Sequence, residues 1–255
     1  MLKFDQVSVA YGDRTVVQSF SATVRAGEWW MIIGPNGAGK SSLVQALGQQ
    51  LDYQGAIYLG DQELSQFSPR ERAGWLGILS QHHTAVYDFT VRELVSLGRY
   101  RQGRGWLNRL TARDQGVIEQ ILQQTGLTDL ADQYITQLSG GELQRAFLAQ
   151  VFAQDPLILV LDEPTNHLDL KYQQIIFDLV ADWLATPGRA VVSVMHDLSL
   201  ARRYGQWAAL MRDGETLASG AIETVMTPGR LRAAYDLDVY QWFQDQGKAW
   251  DFSAR

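Results

Sequence analysis

The chain has no cysteine in 255 residues, which excludes a disulfide framework and a thiolate metal site and fits a reducing compartment. Its four histidines, at 82, 83, 167 and 196, form no metal-binding pattern. Long apolar runs are missing too: WWMII at 29–33 and LILVL at 157–161 are strand-length, far short of the roughly 20 residues of a spanning helix. The N-terminus, MLKFDQVSVAYG, alternates and carries acid, so it lacks the apolar centre of a secretory signal; it predicts a chain that begins near Met1, in the cytoplasm. Lysine occurs only at 3, 40, 171 and 248, and the net charge is −6, which disfavours a broad nucleic-acid or anionic-lipid surface. The local basic cluster RYRQGRGWLNRL, Arg99 to Leu110, reads as a solvated loop. Internal repeats and low-complexity linkers are also lacking.

What is present is 46% hydrophobic residues, enough for a sizeable core, in an order that predicts an α/β fold. FDQVSVAYG and TVVQSFSATVRAG alternate as strands of an N-terminal antiparallel β layer. EWWMII, a glycine-rich turn and SSLVQALGQQL read as strand, loop and helix, and GAIYLG and WLGILSQ add short strands. From about 88 to 154 the spacing turns helical, in TVRELVSLGRY, RDQGVIEQILQQTG, LTDLADQ and GELQRAFLAQVFAQ, predicting a helical subdomain inserted within one domain spanning 1–255. LILVL, KYQQIIFDLVADWLA, AVVSVM and DLSLARRYG then alternate strand and helix, the pattern of a mainly parallel sheet with crossover helices. WAALMRDGETLASG carries a hairpin signal at Asp213-Gly214, ETVM and RLRAAYD read as short helices, and the aromatic, amphipathic end is too short for another domain.

The chemistry starts at Gly34-Pro35-Asn36-Gly37-Ala38-Gly39-Lys40-Ser41, which fills the G-x-x-x-x-G-K-[ST] phosphate loop between a predicted strand and a predicted helix. Backbone N–H groups turned inward there cradle phosphates, Lys40 meets the β- and γ-phosphates, and the Ser41 hydroxyl suits Mg²⁺. Ser42 is placed to reach the α-phosphate. LILVLDE delivers Asp162 and Glu163 at the C-terminal end of an apolar strand, where open α/β sheets bind ligands. Asp162 is the expected direct or second-sphere Mg²⁺ carboxylate, and Glu163 the expected general base for the attacking water. His196 follows the strand AVVSVM and is assigned to the γ-phosphate and that water; Gln81, ending WLGILSQ, offers an amide to metal or water. Tyr11 is a candidate for stacking on adenine, with a β-core tyrosine as the rival. Trp29 and Trp30 read as sheet packing, and His82 and His83 have no evident role.

LSGGELQR, Leu138 to Arg145, has two readings. Ser139 followed by Glu142 is a helix-capping box, and the same exposed N–H groups beside Gly140 and Gly141 suit an anion.

Taken in order, GPNGAGKSS, Gln81, LSGGE, LILVLDE, NHLD at Asn166 to Asp169, and His196 closely resemble the ATP-binding cassette ATPases, from Tyr11 to the Asp213-Gly214 hairpin. The resemblance implies the phosphate-loop NTPase fold, ATP and Mg²⁺, and two cassettes sandwiching nucleotide head to tail. Ser139, Gly140 and Gly141 would then face the γ-phosphate of ATP bound to a second copy of the chain, with Asp169 along the same seam. FTVRELVSLGRYR, Phe89 to Arg101, with LSGGELQRAFLAQ, resembles the ATPases of importers for iron-siderophores, haem and cobalamin. That implies a peripheral subunit on the cytoplasmic face of the membrane, polytopic permeases docking near Gln81 and 89–101, a solute-binding protein acting indirectly, and no nucleic-acid partner. Two departures stand out: Arg101 where that subgroup often has Pro, and Glu142 where the wider family has Gln. A cassette that organises chromosomes would carry long heptad stretches, and a translation-associated one a second cassette and a charged linker; this chain has neither. A phosphate-loop kinase would not need LSGGE.

Overall fold

The computed structural model describes residues 1–81, 88–100, 110–166 and 168–249. His82, His83, Arg101 and His167 lie outside the described residues. The chain opens with β1 (Leu2–Tyr11) and β2 (Arg14–Val24), paired antiparallel across the hairpin that sets Tyr11 opposite Arg14. Then come β3 (Trp29–Ile33), α1 (Lys40–Leu47), β4 (Tyr53–Leu59), β5 (Gln62–Glu63), α2 (Pro69–Trp75) and β6 (Leu76–Leu79). The helical stretch contains α3 (Val91–Leu97), α4 (Ala112–Gln124) and α5 (Gly140–Gln154). β7 (Ile158–Asp162), α6 (Leu170–Leu184), β8 (Ala190–Met195), α7 (Leu198–Tyr204), β9 (Trp207–Arg212), β10 (Glu215–Ala221), α8 (Ile222–Val225), α9 (Pro228–Tyr235) and α10 (Val239–Ala249) complete it.

Two sheets result. The smaller runs β2-β1-β4-β5 and is antiparallel; the larger runs β10-β9-β3-β8-β7-β6, parallel except for the β9–β10 hairpin. GAIYLG therefore belongs to the N-terminal layer, as the partner of β1 in β4. Exposure follows this layering. β1 buries alternate residues because one face is covered, whereas all five residues of β3 and of β7 and all six of β8 are buried, because these strands have a layer on each side.

Period-two geometry divides β3 between two cores. Trp29, Met31 and Ile33 face the helices, and Trp30 and Ile32 face α1 and the antiparallel sheet. Trp29 stacks on Phe177 of α6 with centroids 5.5 Å apart and donates from Nε1 to Ser193 Oγ at 2.9 Å. Trp30 stacks on Trp207 at 5.8 Å and donates to Glu28 Oε2. Both indoles are thus packing residues with their N–H groups satisfied.

Helix starts follow one local rule. SPRE, TVRE, TARD and SGGE each place Ser or Thr three residues before an acid, and Ser68, Thr90, Thr111 and Ser139 all form reciprocal capping boxes. LTDLADQ departs from its helical expectation: only Thr128–Leu130 forms a 3₁₀ turn. Leu127 and Ala131 are buried as the spacing demands, but so short a segment cannot offset the cost of nucleating an α-helix. Arg99 departs from the solvated-loop expectation, whose positions 101–109 lie outside the described residues: it is buried, and its guanidinium donates to Asp114 Oδ1 and to the Ala153 carbonyl, each at 2.9 Å, joining the ends of α3, α4 and α5.

Candidate functional site

Strand order does most of the assembly. β3, β8, β7 and β6 are consecutive neighbours and parallel, so their C-terminal ends reach one edge of the sheet. The phosphate loop follows Ile33, His196 follows Met195, Asp162 ends β7 with Glu163 next, and Gln81 lies two residues past Leu79. Register seals the arrangement: Ile33 sits opposite Met195, Val194 opposite Asp162, and Leu161 opposite Leu79.

Together they border a cavity of about 660 Å³ lined by Asn36 to Ser42, Gln81, Glu163 and His196, with Arg14 and Val16 from the antiparallel layer. The size suits a nucleotide. At its base Lys40, 4% exposed, donates from Nζ to the carbonyls of Gly34 and Pro35 at 2.8 and 2.9 Å, leaving a third donor for an anion. Burial lowers the Lys40 pKa, and the carboxylates of Glu163 and Asp162 partly counter that. Gly34 has φ +152°, and a Cβ there would lie 2.1 Å from the Met211 carbonyl oxygen, so β9 leaves no room for a side chain.

Ser41 Oγ donates to Asp162 Oδ1 at 3.1 Å, linking the start of α1 to the end of β7. Two hard oxygen donors side by side fit Mg²⁺. Glu163 is 7% exposed and held on every side: Oε2 accepts from Gln81 Nε2 at 2.8 Å and from Asn166 Nδ2, while Oε1 meets His196 Nε2. Its backbone is left-handed at φ 53°, which costs a non-glycine residue about 1–2 kcal/mol. The turn is held by hydrogen bonds from Glu163 N–H to the Val194 carbonyl and from Asn166 N–H to the Glu163 carbonyl.

Ser139, Gly140, Gly141 and Asp169 line a different cavity, of about 560 Å³, with Glu142, Arg145, Leu168 and Tyr172. The Glu142 carboxylate accepts from the Ser139 hydroxyl and N–H at 2.6 and 2.8 Å, and these bonds hold its pKa below the usual range. The capping box of LSGGE is therefore formed, and it carries a negative charge beside the exposed helix start. Within one chain, Asn36 to Ser42 with Gln81, Glu163 and His196 line one concavity, and Ser139 to Gly141 with Asp169 line another.

The sequence pattern of the family described as ABC transporter matches residues 17–166, more than half of the chain. The chain belongs to the ABC transporter family. It is accordingly an ATP-hydrolysing cassette with a phosphate-loop α/β fold. An uncharacterised ABC transporter ATP-binding protein of Bacillus subtilis is 38% identical over 239 residues, covering 93% of this chain and 54% of its own, so the cassette spans about half of that relative. The ferric enterobactin transport ATP-binding protein FepC of Escherichia coli is 35% identical over 237 residues, 92% of this chain and 87% of its own. The hemin import ATP-binding protein HmuV of Rhodopseudomonas palustris is 37% identical over 249 residues, 93% and 91% of the two chains. Among solved structures, a dimeric ATP-binding cassette in a post-hydrolysis state bound to ADP and Pi is similar with a TM-score of 0.78 and 26% identity, over 87% of this chain and 99% of that one.

In the cassette, Tyr11 shares the hairpin of Arg14 but is not part of the lining of the phosphate-loop cavity; it is 49% exposed, with its hydroxyl on Gln45 Oε1 at 2.9 Å. Arg14, opposite Tyr11 in the hairpin, does line the cavity, and its side chain has no hydrogen-bond or ion-pair partner among the described residues. Sequence reasoning passed over Arg14 and gave Asn166 no role beyond its place in NHLD. The available signals were a cation at the mouth of a hairpin next to an aromatic candidate, and an amide three residues beyond a candidate base. No helix among the described residues is long and apolar enough to cross a membrane.

Proposed function

We propose that this cassette is the ATPase subunit of a membrane importer for a metal chelate, a ferric siderophore first, with haem or cobalamin next. The observation that carries the reading is the identity of 35% to a ferric enterobactin transport subunit and 37% to a hemin import subunit across more than nine-tenths of this chain. Two chains close head to tail, the Ser139 cavity of one over the phosphate loop of the other. One phosphate loop and one LSGGE per chain, in separate cavities, support that arrangement. Permeases dock on the surface around Gln81 and residues 89–101, where exposed Leu97 and Tyr100 support an interface. The assembly then sits on the cytoplasmic face of the membrane, with a solute-binding protein acting from the other side.

Within each site, Lys40 and the loop amides hold the β- and γ-phosphates. Ser41 and Asp162 would hold Mg²⁺, which when bound would supply neutralisation of negative charge on phosphate. Glu163 accepts the proton of the attacking water. Gln81 and Asn166 orient its carboxylate by hydrogen bonds, and His196 Nε2, at its other oxygen, is assigned to the γ-phosphate and the attacking water. With the Gln81 amide nitrogen on Glu163, its amide oxygen is the atom left to approach metal or water.

The test of cargo is ATPase activity of the purified complex with its permease and binding protein, challenged with ferric siderophore, haem and cobalamin. Stimulation by one of the three is expected; stimulation by none of them, or by nucleic acid, would overturn the reading. The head-to-tail arrangement is tested by mixing Lys40→Ala and Ser139→Arg chains. Heterodimers should recover one intact site and hence activity, and no recovery refutes the trans assignment.

A further inference from the structure

We infer that Arg145 and Tyr172 form a clamp that sets the geometry of the Ser139 cavity, making both positioning residues for the γ-phosphate of ATP bound to the second chain. This rests on the head-to-tail reading above and deepens it. The cavity has two walls from different elements: Ser139 to Glu142 at the start of α5, and Leu168 and Asp169 leading into α6. A phosphate entering between them is gripped only if the walls keep their spacing. Arg145 lies one and a half turns into α5, and Tyr172 lies in the first turn of α6, where its N–H donates to the capping carboxylate of Asp169 at 2.9 Å. Tyr172 thus moves with Asp169, and Arg145 moves with Ser139.

The two side chains meet face on. The Arg145 guanidinium carbon lies 3.7 Å from the centroid of the Tyr172 ring, and Lys171 Nζ approaches the same ring at 5.5 Å. From this stack Arg145 Nη1 reaches the end of α4, donating to the carbonyls of Thr125 and Gly126 at 2.9 and 2.8 Å. Gly126 completes the fit: it has φ +66°, and a Cβ there would come within 3.2 Å of Arg145 Nη1 and 3.3 Å of Tyr172 Cε1. Three helices are therefore pinned at one point beneath the cavity.

Arg145 is 4% exposed, and its Nε has no hydrogen-bond partner among the described residues. A buried guanidinium with an unsatisfied N–H is costly to keep as mere packing. Its place in the lining of the Ser139 cavity gives that cost a use. Planarity makes the contact selective for arginine, since a lysine ammonium could donate to both carbonyls but cannot lie flat on the Tyr172 ring while doing so.

The test compares Tyr172→Phe, which keeps the aromatic face, with Tyr172→Leu, which removes it, and Arg145→Lys, which keeps the charge without the planar fork. Each chain is measured for affinity of a fluorescent ATP analogue at the phosphate loop of the lone chain, for ATPase against chain concentration, and for thermal unfolding. We expect Tyr172→Phe to match the parent. Tyr172→Leu and Arg145→Lys should raise the chain concentration for half-maximal ATPase by about thirtyfold, the worth of a desolvated cation–π contact, with lone-chain affinity unchanged. Parental concentration dependence in both impaired variants, equal impairment of Tyr172→Phe, or lost lone-chain affinity would each overturn the clamp. Should Tyr172→Leu fail to fold, Arg145→Lys decides alone. A parent whose specific ATPase does not depend on chain concentration would instead overturn the head-to-tail reading beneath it.

Discussion

Replacing Glu163 by Gln exchanges one carboxylate oxygen for an amide nitrogen, and the hydrogen bonds around it set what that costs. Oε2 accepts from Gln81 and Asn166, and Oε1 faces His196 Nε2. A glutamine fits with its oxygen in the Oε2 place, still accepting from both amides, and its NH₂ toward His196, whose neutral ring can accept at Nε2 while carrying its proton on Nδ1. No buried donor loses its partner, so the thermal midpoint should shift by no more than about 1 kcal/mol of stability implies. What is lost is proton acceptance, which general-base catalysis values at about 10²–10⁴ in rate. That corresponds to about 2.7–5.5 kcal/mol on the barrier. The assay pairs phosphate release from ATP with direct nucleotide binding and unfolding curves on the same preparation. Slow turnover with intact affinity and an accumulating closed dimer is expected; a kcat within about tenfold of the parent would refute Glu163 as the base. Glu163→Ala is the poorer probe, because it strips the acceptor from Gln81 and Asn166 together.

Arg14→Ala should weaken ATP binding by about ten- to a hundredfold, the worth of a charge-assisted contact, in titrations with a fluorescent analogue; an unchanged Kd would remove Arg14 from the site. Glu142→Gln keeps a side chain able to bond the Ser139 N–H while deleting the negative charge beside the anion cavity, so ATP-driven dimerisation should tighten at low salt and the gain should fade at high salt. A weaker dimer at low salt would contradict this. Asp114→Asn leaves the buried guanidinium of Arg99 without its carboxylate, a loss of about 3–5 kcal/mol at neutral pH by urea unfolding. The Asp114 pKa lies below its ordinary value, chiefly through the Thr111 hydroxyl, then its N–H, with Arg99 adding to both. Because a lowered native pKa stabilises the fold above the unfolded pKa of about 3.9, the gap between parent and variant should close as pH falls through the native value. A gap that persists in acid would show that the carboxylate charge is not its source.

Much of this molecule follows from local pattern. The continuous apolar runs of β3, β7 and β8 are long enough only for strands and too apolar for one covered face, so they report a central parallel sheet directly. Ser-x-x-Glu before LQRAFLAQ is enough to start α5 at Ser139, because a capping box is satisfied within four residues. The phosphate loop is legible for the same reason: its backbone amides and Lys40 act over eight consecutive positions. LTDLADQ misled because buried Leu127 and Ala131 carry helical spacing whether the turn between them is α or 3₁₀.

Other features depend on contacts between residues far apart in the chain. Arg14 enters the nucleotide cavity only because the N-terminal hairpin folds against the loop, and the hairpin sequence carries no trace of that neighbour. Glu163 gains its three partners from β6, from its own turn and from β8, whose adjacency is a property of strand order. The sequence alone determined which groups are candidates for the chemistry, since phosphate cradling, metal ligation and capping are patterns of neighbouring residues. Only the tertiary structure decided that these groups divide between two cavities and that Arg145 and Tyr172 meet beneath one of them. Separation and stacking are distances through space, set by how α4, α5 and α6 pack, and no short stretch of sequence encodes them.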